Sequence, residues 1–355
     1  MADGSTTRLL RKQPMMRRVI VALLPCVAGG VYFYGWRSLV MVVVSAAVGF
    51  GVEWFSCRRR QEPVSEAVFV TTTIYALIMP PTVPWHVLVI GLVFAIGVTK
   101  ELFGGFGRNF FNPAMAGRCF VYVCFPVALT ATWAQVAQGP WGALDRWTTA
   151  PTADAVTGAT PMAYMKSGRL VPADAGTEGA VDDIPARIEE GTRVVVNAGS
   201  MLSRMLTGRI SGTMGVNSVI LVLIGGIYLF WTKTASRLII LAIILAYTTW
   251  NVILTLAGVP RFYGAEFAVL GGGFLFGAFF MATDPISAPK TWQAKLAYGI
   301  IIGTSTTIIR NFSIFNGGLM FSIIIANMFA PIMDYAVNAY QQRGAAGEVP
   351  EGSKA

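Results

Sequence analysis

Thr157-Gly158-Ala159-Thr160 offers two hydroxyls bracketing two small residues, and Pro161 follows at once. The small residues let another body approach the backbone closely, while the proline biases Thr160 toward an extended or turn conformation that projects its hydroxyl. The wider stretch from Asp154 to Met162 lies in the one long polar segment of an otherwise apolar chain. Its chemistry is hydroxyl presentation; the plain alternative is a Thr/Gly/Pro surface turn.

A second set of polar residues interrupts the apolar runs. Gly104-Gly105-Phe106-Gly107-Arg108-Asn109-Phe110-Phe111-Asn112-Pro113 contains two amide side chains, each with both donors and acceptors. These suit a buried neutral polar ligand at a re-entrant or broken-helix entry, or else they cap the helix that follows. The glycines do not form a dinucleotide fingerprint, which needs a strand before and a helix after in a soluble βαβ unit. In Met281-Ala282-Thr283-Asp284-Pro285-Ile286-Ser287-Ala288, the proline cannot continue a helical ladder, leaving Asp284 where a carboxylate could meet freed backbone groups or a cation. Glu53, Glu66, Glu266 and Asp334 are the other acids within or beside apolar runs. A buried acid costs at least about 2.5 kcal/mol on insertion scales and is usually functional. Glu53 sits near the end of its run, so snorkelling to the interface is an open alternative.

The elements that must position these groups are membrane helices. Of 355 residues, 54% are hydrophobic and only 13% charged, against about one quarter charged in a soluble domain. A spanning helix needs about 20 apolar residues. The net charge of +9 comes from cations clustered at the ends of apolar runs, which fits the positive-inside rule and gives no reason to invoke nucleic acid. Cys26, Cys57, Cys119 and Cys124 lack the paired spacing of a zinc or iron–sulfur site and read as structural thiols. His86, beside Trp85, suits the membrane interface.

The fold expected is an all-α integral membrane protein of about ten transmembrane helices. Residues 1–18 form a cytoplasmic segment, 19–129 a first five-helix half, 130–215 a long extracytoplasmic loop, 216–337 a second five-helix half and 338–355 a cytoplasmic tail. The first five spans are expected at Val19–Gly35, Ser38–Ser56, Val64–Met79, Trp85–Thr99 and Pro113–Leu129. The second five are expected at Val216–Trp231, Leu238–Leu256, Phe267–Met281, Leu296–Ile309 and Leu319–Val337. Glu66 and Glu266 open corresponding spans, and Pro126 and Pro331 recur in the fifth of each half. An odd number of spans per half makes the halves inverted, and such repeats place binding sites at the interface between halves.

Lys100 to Arg118, the Thr157-Gly-Ala-Thr160 loop and Ala282-Thr-Asp-Pro-Ile-Ser-Ala288 together resemble the NqrB/RnfD family, the membrane flavoprotein subunits of the sodium-pumping NADH:quinone reductase and of the Rnf complex. The likeness runs from about Ser38 to Tyr335. It implies flavin mononucleotide (FMN) esterified to Thr160, within a loop site that includes Asp154, Thr157, Gly158 and Ala159. It further implies non-covalent riboflavin near Gly104, Gly105, Asn109 and Asn112, and cation coupling at positions matching Glu53 and Asp334, to which Asp284 is added on its chemistry. The implied setting is the bacterial inner membrane, in a complex that includes a second flavin-carrying subunit, iron–sulfur subunits and, as a candidate acceptor, quinone. Only 18 residues precede the first expected span, which favours an RnfD-like subunit, although Asn112-Pro-Ala-Met-Ala-Gly-Arg118 also looks like the quinone-reductase version. The rival of a different class is an inverted-repeat transporter or channel without a redox role.

Overall fold

The computed structural model describes residues 9–131, 133–137, 139–148, 160–173, 177, 179–184, 188, 191–259, 264–313, 315 and 317–347. Asp154, Thr157, Gly158 and Ala159 lie outside them.

The protein is mostly helical, and its helices begin and end where the local chemistry says they should. The first helix, α1 (Pro14–Tyr34), opens on a proline, whose missing N–H costs nothing in a first turn. The second, α2 (Trp36–Arg60), closes on Arg58, Arg59 and Arg60 with Gln61 in the left-handed conformation. In α5 (Pro113–Cys124) the Asn112 Oδ1 accepts from the Ala114 and Met115 amides at 3.1 and 3.3 Å. That helix breaks at Phe125 and resumes as α6 (Pro126–Thr130), because Pro126 has no amide to give the ladder. Later in the chain run α9 (Val219–Trp231), α10 (Arg237–Leu256), α13 (Trp292–Phe312) and α14 (Gly318–Gly347). Among the described residues, Pro14–Tyr34, Trp36–Arg60, Arg237–Leu256 and Gly318–Arg343 are each long and apolar enough to cross a membrane.

Besides the broken fifth, three further expected spans differ in form. The third is shorter, α3 (Ala67–Leu77), because Val64–Ser65 stays extended after Pro63 and pairs in parallel, as β2, with β1 (Leu10–Arg11). The segment before α1 is therefore docked: Arg17 pairs with Glu66 at 2.5 Å, and Gln13 bonds to both Glu66 and Ala67. The fourth begins as α4 (Trp85–Val93) and widens into a π-helix over Phe94–Glu101 that carries Lys100 and Glu101, both buried. The eighth is split into α11 (Ala265–Leu270), the break Gly271-Gly272-Gly273, the single turn α12 (Phe274–Phe276), and a second π-helix over Gly277–Met281. Gly272 and Gly273 hold φ of 59° and 70°, where only glycine sits without strain.

The helices α1 and α9 pack together, as do α5 and α14, α10 and α13, and α13 and α14. Small residues permit the close approach, as is usual between membrane helices: a Cβ on Gly225 would lie 2.0 Å from the Ala22 carbonyl oxygen.

The expected loop 130–215 contains a small folded unit. Strand β3 (Leu170–Ala173) runs parallel to β4 (Val194–Asn197), flanked by α7 (Pro161–Lys166) and α8 (Ala198–Thr207). Its own core joins Tyr164, Met165, Leu170, Val196, Met201 and Met205 to Phe267 of α11. The runs Leu170-Val171 and Val194-Val195-Val196 are too short to stand out beside span-length apolar segments, which is why an all-helical reading passes over them.

Candidate functional site

Two clefts open between the helices, and among the described residues Thr160 lines one while Asn109, Asn112 and Asp284 line the other; Gly104, Gly105, Glu53 and Asp334 line neither. The first encloses about 1260 Å³ of space, part of it open to solvent. Thr160, Met162 and Ala163 form one wall, Met115 and Arg118 of α5 another, and the glycine break with Arg310 of α13 a third. Thr160 is the N-cap of α7, accepting from the Ala163 amide at 3.3 Å. The helix behind it is pinned: Lys166 Nζ donates to the Ser313 and Phe315 carbonyls, and the Tyr164 hydroxyl accepts from the Ile188 amide at 3.3 Å. Nearby, the Tyr34 hydroxyl donates to the Gly212 carbonyl at 2.9 Å and accepts from Asn217 Nδ2 at 2.6 Å, fixing where the folded unit rejoins α9.

The polar groups of this cleft fit a phosphorylated ligand. Among the described residues Arg118 Nε is buried without a hydrogen-bond partner, and the described lining residues include no carboxylate. A guanidinium supplies a planar fork suited to phosphate oxygens. The cleft also offers the apolar walls that a flat aromatic ring requires.

The second cleft, about 680 Å³, gathers Lys100, Phe106, Asn109, Asn112, Thr283 and Asp284, with Met15 and Met16 of α1 across from them. Asn112 is largely committed: its Oδ1 caps α5, and its Nδ2 donates to the Met281 carbonyl at 3.1 Å. The capping alternative is thus realised at Asn112, which also ties α5 to the π-helix 169 residues further on. Asn109 Nδ2 donates to the Phe111 carbonyl at 3.0 Å. Gly104 and Gly105, with φ of 103° and 89°, shape the turn and lie against Arg108 and Arg60 rather than lining either cleft. The two clefts lie back to back: Asn112 and Pro113 line the second, while Met115 and Met281 line the first.

The acids separate into different roles. Glu53 is 1% exposed and does not snorkel: it pairs with Lys100 Nζ at 2.5 Å and accepts from Ser65 N and Oγ at 3.0 and 2.7 Å. Asp284 lines the second cleft and accepts from Ser287 Oγ at 2.8 Å. Asp334 lines neither cleft and caps α13 from outside, accepting from the Lys290 and Thr291 amides at 2.8 and 2.9 Å and from Thr291 Oγ1 at 2.7 Å. Glu101, also buried, bonds to Arg60, and its Oε1 has no partner among the described residues. From sequence, Lys100 and Arg108 read as residues of the membrane edge, and neither Arg118 nor Arg310 reads as part of a site. The Gly271-Gly272-Gly273 run is the available signal for the break beside Arg310.

Long apolar helices with two clefts between them define an integral membrane protein. The chain belongs to the NQR2, RnfD, RnfE family, whose pattern it matches over residues 7–342. It is 33% identical over 350 residues to the D subunit of the ion-translocating oxidoreductase complex of Shewanella amazonensis, covering 93% of this chain and 94% of that one. It is also 32% identical over 316 residues to the B subunit of the Na(+)-translocating NADH-quinone reductase of Ectopseudomonas mendocina, covering 88% and 68%. The corresponding subunit of Klebsiella pneumoniae is 33% identical over 322 residues, at 85% and 69%.

Proposed function

We propose that this membrane subunit of an ion-translocating oxidoreductase carries two flavins, FMN esterified to Thr160 in the first cleft and riboflavin in the second, and relays electrons between partner subunits. The observation that carries the reading is Thr160 on the wall of a cleft that also holds Arg118, whose Nε has no partner among the described residues. Flavins supply the one- and two-electron chemistry; the chain supplies seats, orientation and charge. Arg118 would hold the phosphate, Met115 and Met162 would supply apolar contact to the FMN ring, and Asn109 with Phe106 would hold the riboflavin. The hydrocarbon layer is about 30 Å thick, too far for one electron step. Back-to-back clefts divide that path, with about one turn of α5 between them.

The partners in this reading are iron–sulfur subunits, a second flavin-carrying subunit and a quinone acceptor, all within the inner membrane complex. This reading takes the RnfD-like branch, with 33% identity over 350 residues to the Shewanella D subunit. Asp284 beside the riboflavin cleft, the Glu53–Lys100 pair and Asp334 are the candidates for coupling to Na⁺ or H⁺. In this reading the helices group into two inverted sets of five, and the contacts of α1 with α9 and of α5 with α14 support that pairing.

Denaturing the purified complex should release riboflavin. Asn109→Leu should weaken its retention about tenfold, the cost of a hydrogen bond to a buried polar edge. Absence of releasable riboflavin from intact, active complex refutes the second seat. For topology, an export-dependent reporter should be active when fused after Gly168 and silent after Lys354. The reverse pattern at either site contradicts ten spans with both termini inside.

A further inference from the structure

Arg310 is a buried charge with an unusual set of neutral partners. Its Nη1 donates to the Tyr247 hydroxyl at 3.1 Å and to the Ala268 and Gly271 carbonyls at 3.2 and 3.3 Å, and its Nη2 donates to the Gly272 carbonyl at 2.7 Å. The Tyr247 and Phe274 rings lie 5.6 and 5.8 Å from the guanidinium carbon. Carbonyl dipoles and ring faces stabilise a cation without cancelling it. The glycine break makes this possible, since a Cβ at Gly272 would sit 2.9 Å from Arg310 Nη2.

Among the described residues Arg310 Nε is buried and unpartnered, and so is Nε of Arg118, which lines the same cleft. The chain has thus placed two guanidinium groups around one cleft, with no carboxylate among its described lining residues to neutralise them. Leaving buried charges uncompensated is costly. A ligand that brings negative charge removes that cost.

We propose that Arg118 and Arg310 form an anion clamp that selects a phosphate-bearing planar ligand over its dephosphorylated counterpart in the first cleft. The clamp rests on the reading that this cleft takes a flavin, and it assigns FMN to the first cleft and riboflavin to the second by charge. The second cleft contains Asp284, and the one cation among its described lining residues, Lys100, is already paired with Glu53, so no free positive charge is offered to a phosphate there.

The test uses the full chain with Thr160→Ala in lipid nanodiscs, so that no ester can form. Binding of phosphorus-labelled FMN is measured by equilibrium dialysis with riboflavin in large excess. The clamp predicts that FMN is retained despite the excess, that added salt weakens it, and that Arg118→Gln weakens it by about tenfold to a hundredfold. Riboflavin retained by the Arg118→Gln chain reports that its fold is intact. If riboflavin displaces FMN from the chain that keeps Arg118, the clamp is overturned whatever the variant does. Equal FMN affinity with and without Arg118 overturns it as well. Failure of the attachment reading is a separate result, seen as an unmodified Thr160 in the unsubstituted chain.

Discussion

Replacing Lys100 with methionine should destabilise the protein by about 3–5 kcal/mol, the usual cost of stripping one partner from a buried ion pair. Lys100 and Glu53 have side chains only 3% and 2% exposed, and 47 residues of chain separate them. With Lys100→Met, the Glu53 carboxylate keeps its two bonds from Ser65 but loses its only cation at hydrogen-bonding distance among the described residues. The expected readout is a large fall in the thermal midpoint of the purified protein, or failure of the chain to accumulate in the membrane. Glu53→Gln alone should also destabilise, because it strands the ammonium. The double substitution Glu53→Gln with Lys100→Met leaves no net buried charge and should recover much of the loss, since a neutral pair of similar volume replaces the ionic one. Unchanged midpoints in both single variants would show that the pair is not buried as described.

The second large effect is at Thr160. An ester to its hydroxyl is all or nothing, so Thr160→Ala should abolish the flavin that stays with the chain on a denaturing gel. Thr160→Ser keeps a hydroxyl at the N-cap of α7 and should retain part of the signal. Thr157→Ala, which spares that hydroxyl, should leave the signal in place. Losing the cap should itself cost about 1 kcal/mol, too little to unfold the module that Phe267 and Lys166 anchor. Flavin fluorescence persisting on a Thr160→Ala chain would move the attachment to another residue.

Much of this arrangement is legible from residue types. Long apolar runs bounded by Arg58-Arg59-Arg60 or by Arg237 mark helices whose boundaries fall within a few residues of the structure. Asn112-Pro113 admits a cap as one of two readings, because an amide before a proline satisfies the first free amides of a helix. The Lys100 site is harder. A lysine before Gly104-Gly105 looks like an interfacial cation, and only the π-helical turn over Phe94–Glu101 carries it inward to Glu53. Nothing local to either residue encodes that meeting. Arg310 is hidden for the same reason: its partners Tyr247, Ala268 and Gly272 come from elements 38 to 63 residues away. The β3–β4 unit is missed because its apolar runs are brief and its parallel partner lies across a connection with no signal of its own.

The most direct test of the central claim is the mass of the peptide that contains Thr160, taken from the chain produced together with a flavin transferase. Covalent attachment predicts an increment of FMN less one water on that peptide, localised to Thr160 by fragmentation. An unmodified Thr160 peptide, recovered from assembled complex that is active in electron transfer, would contradict it.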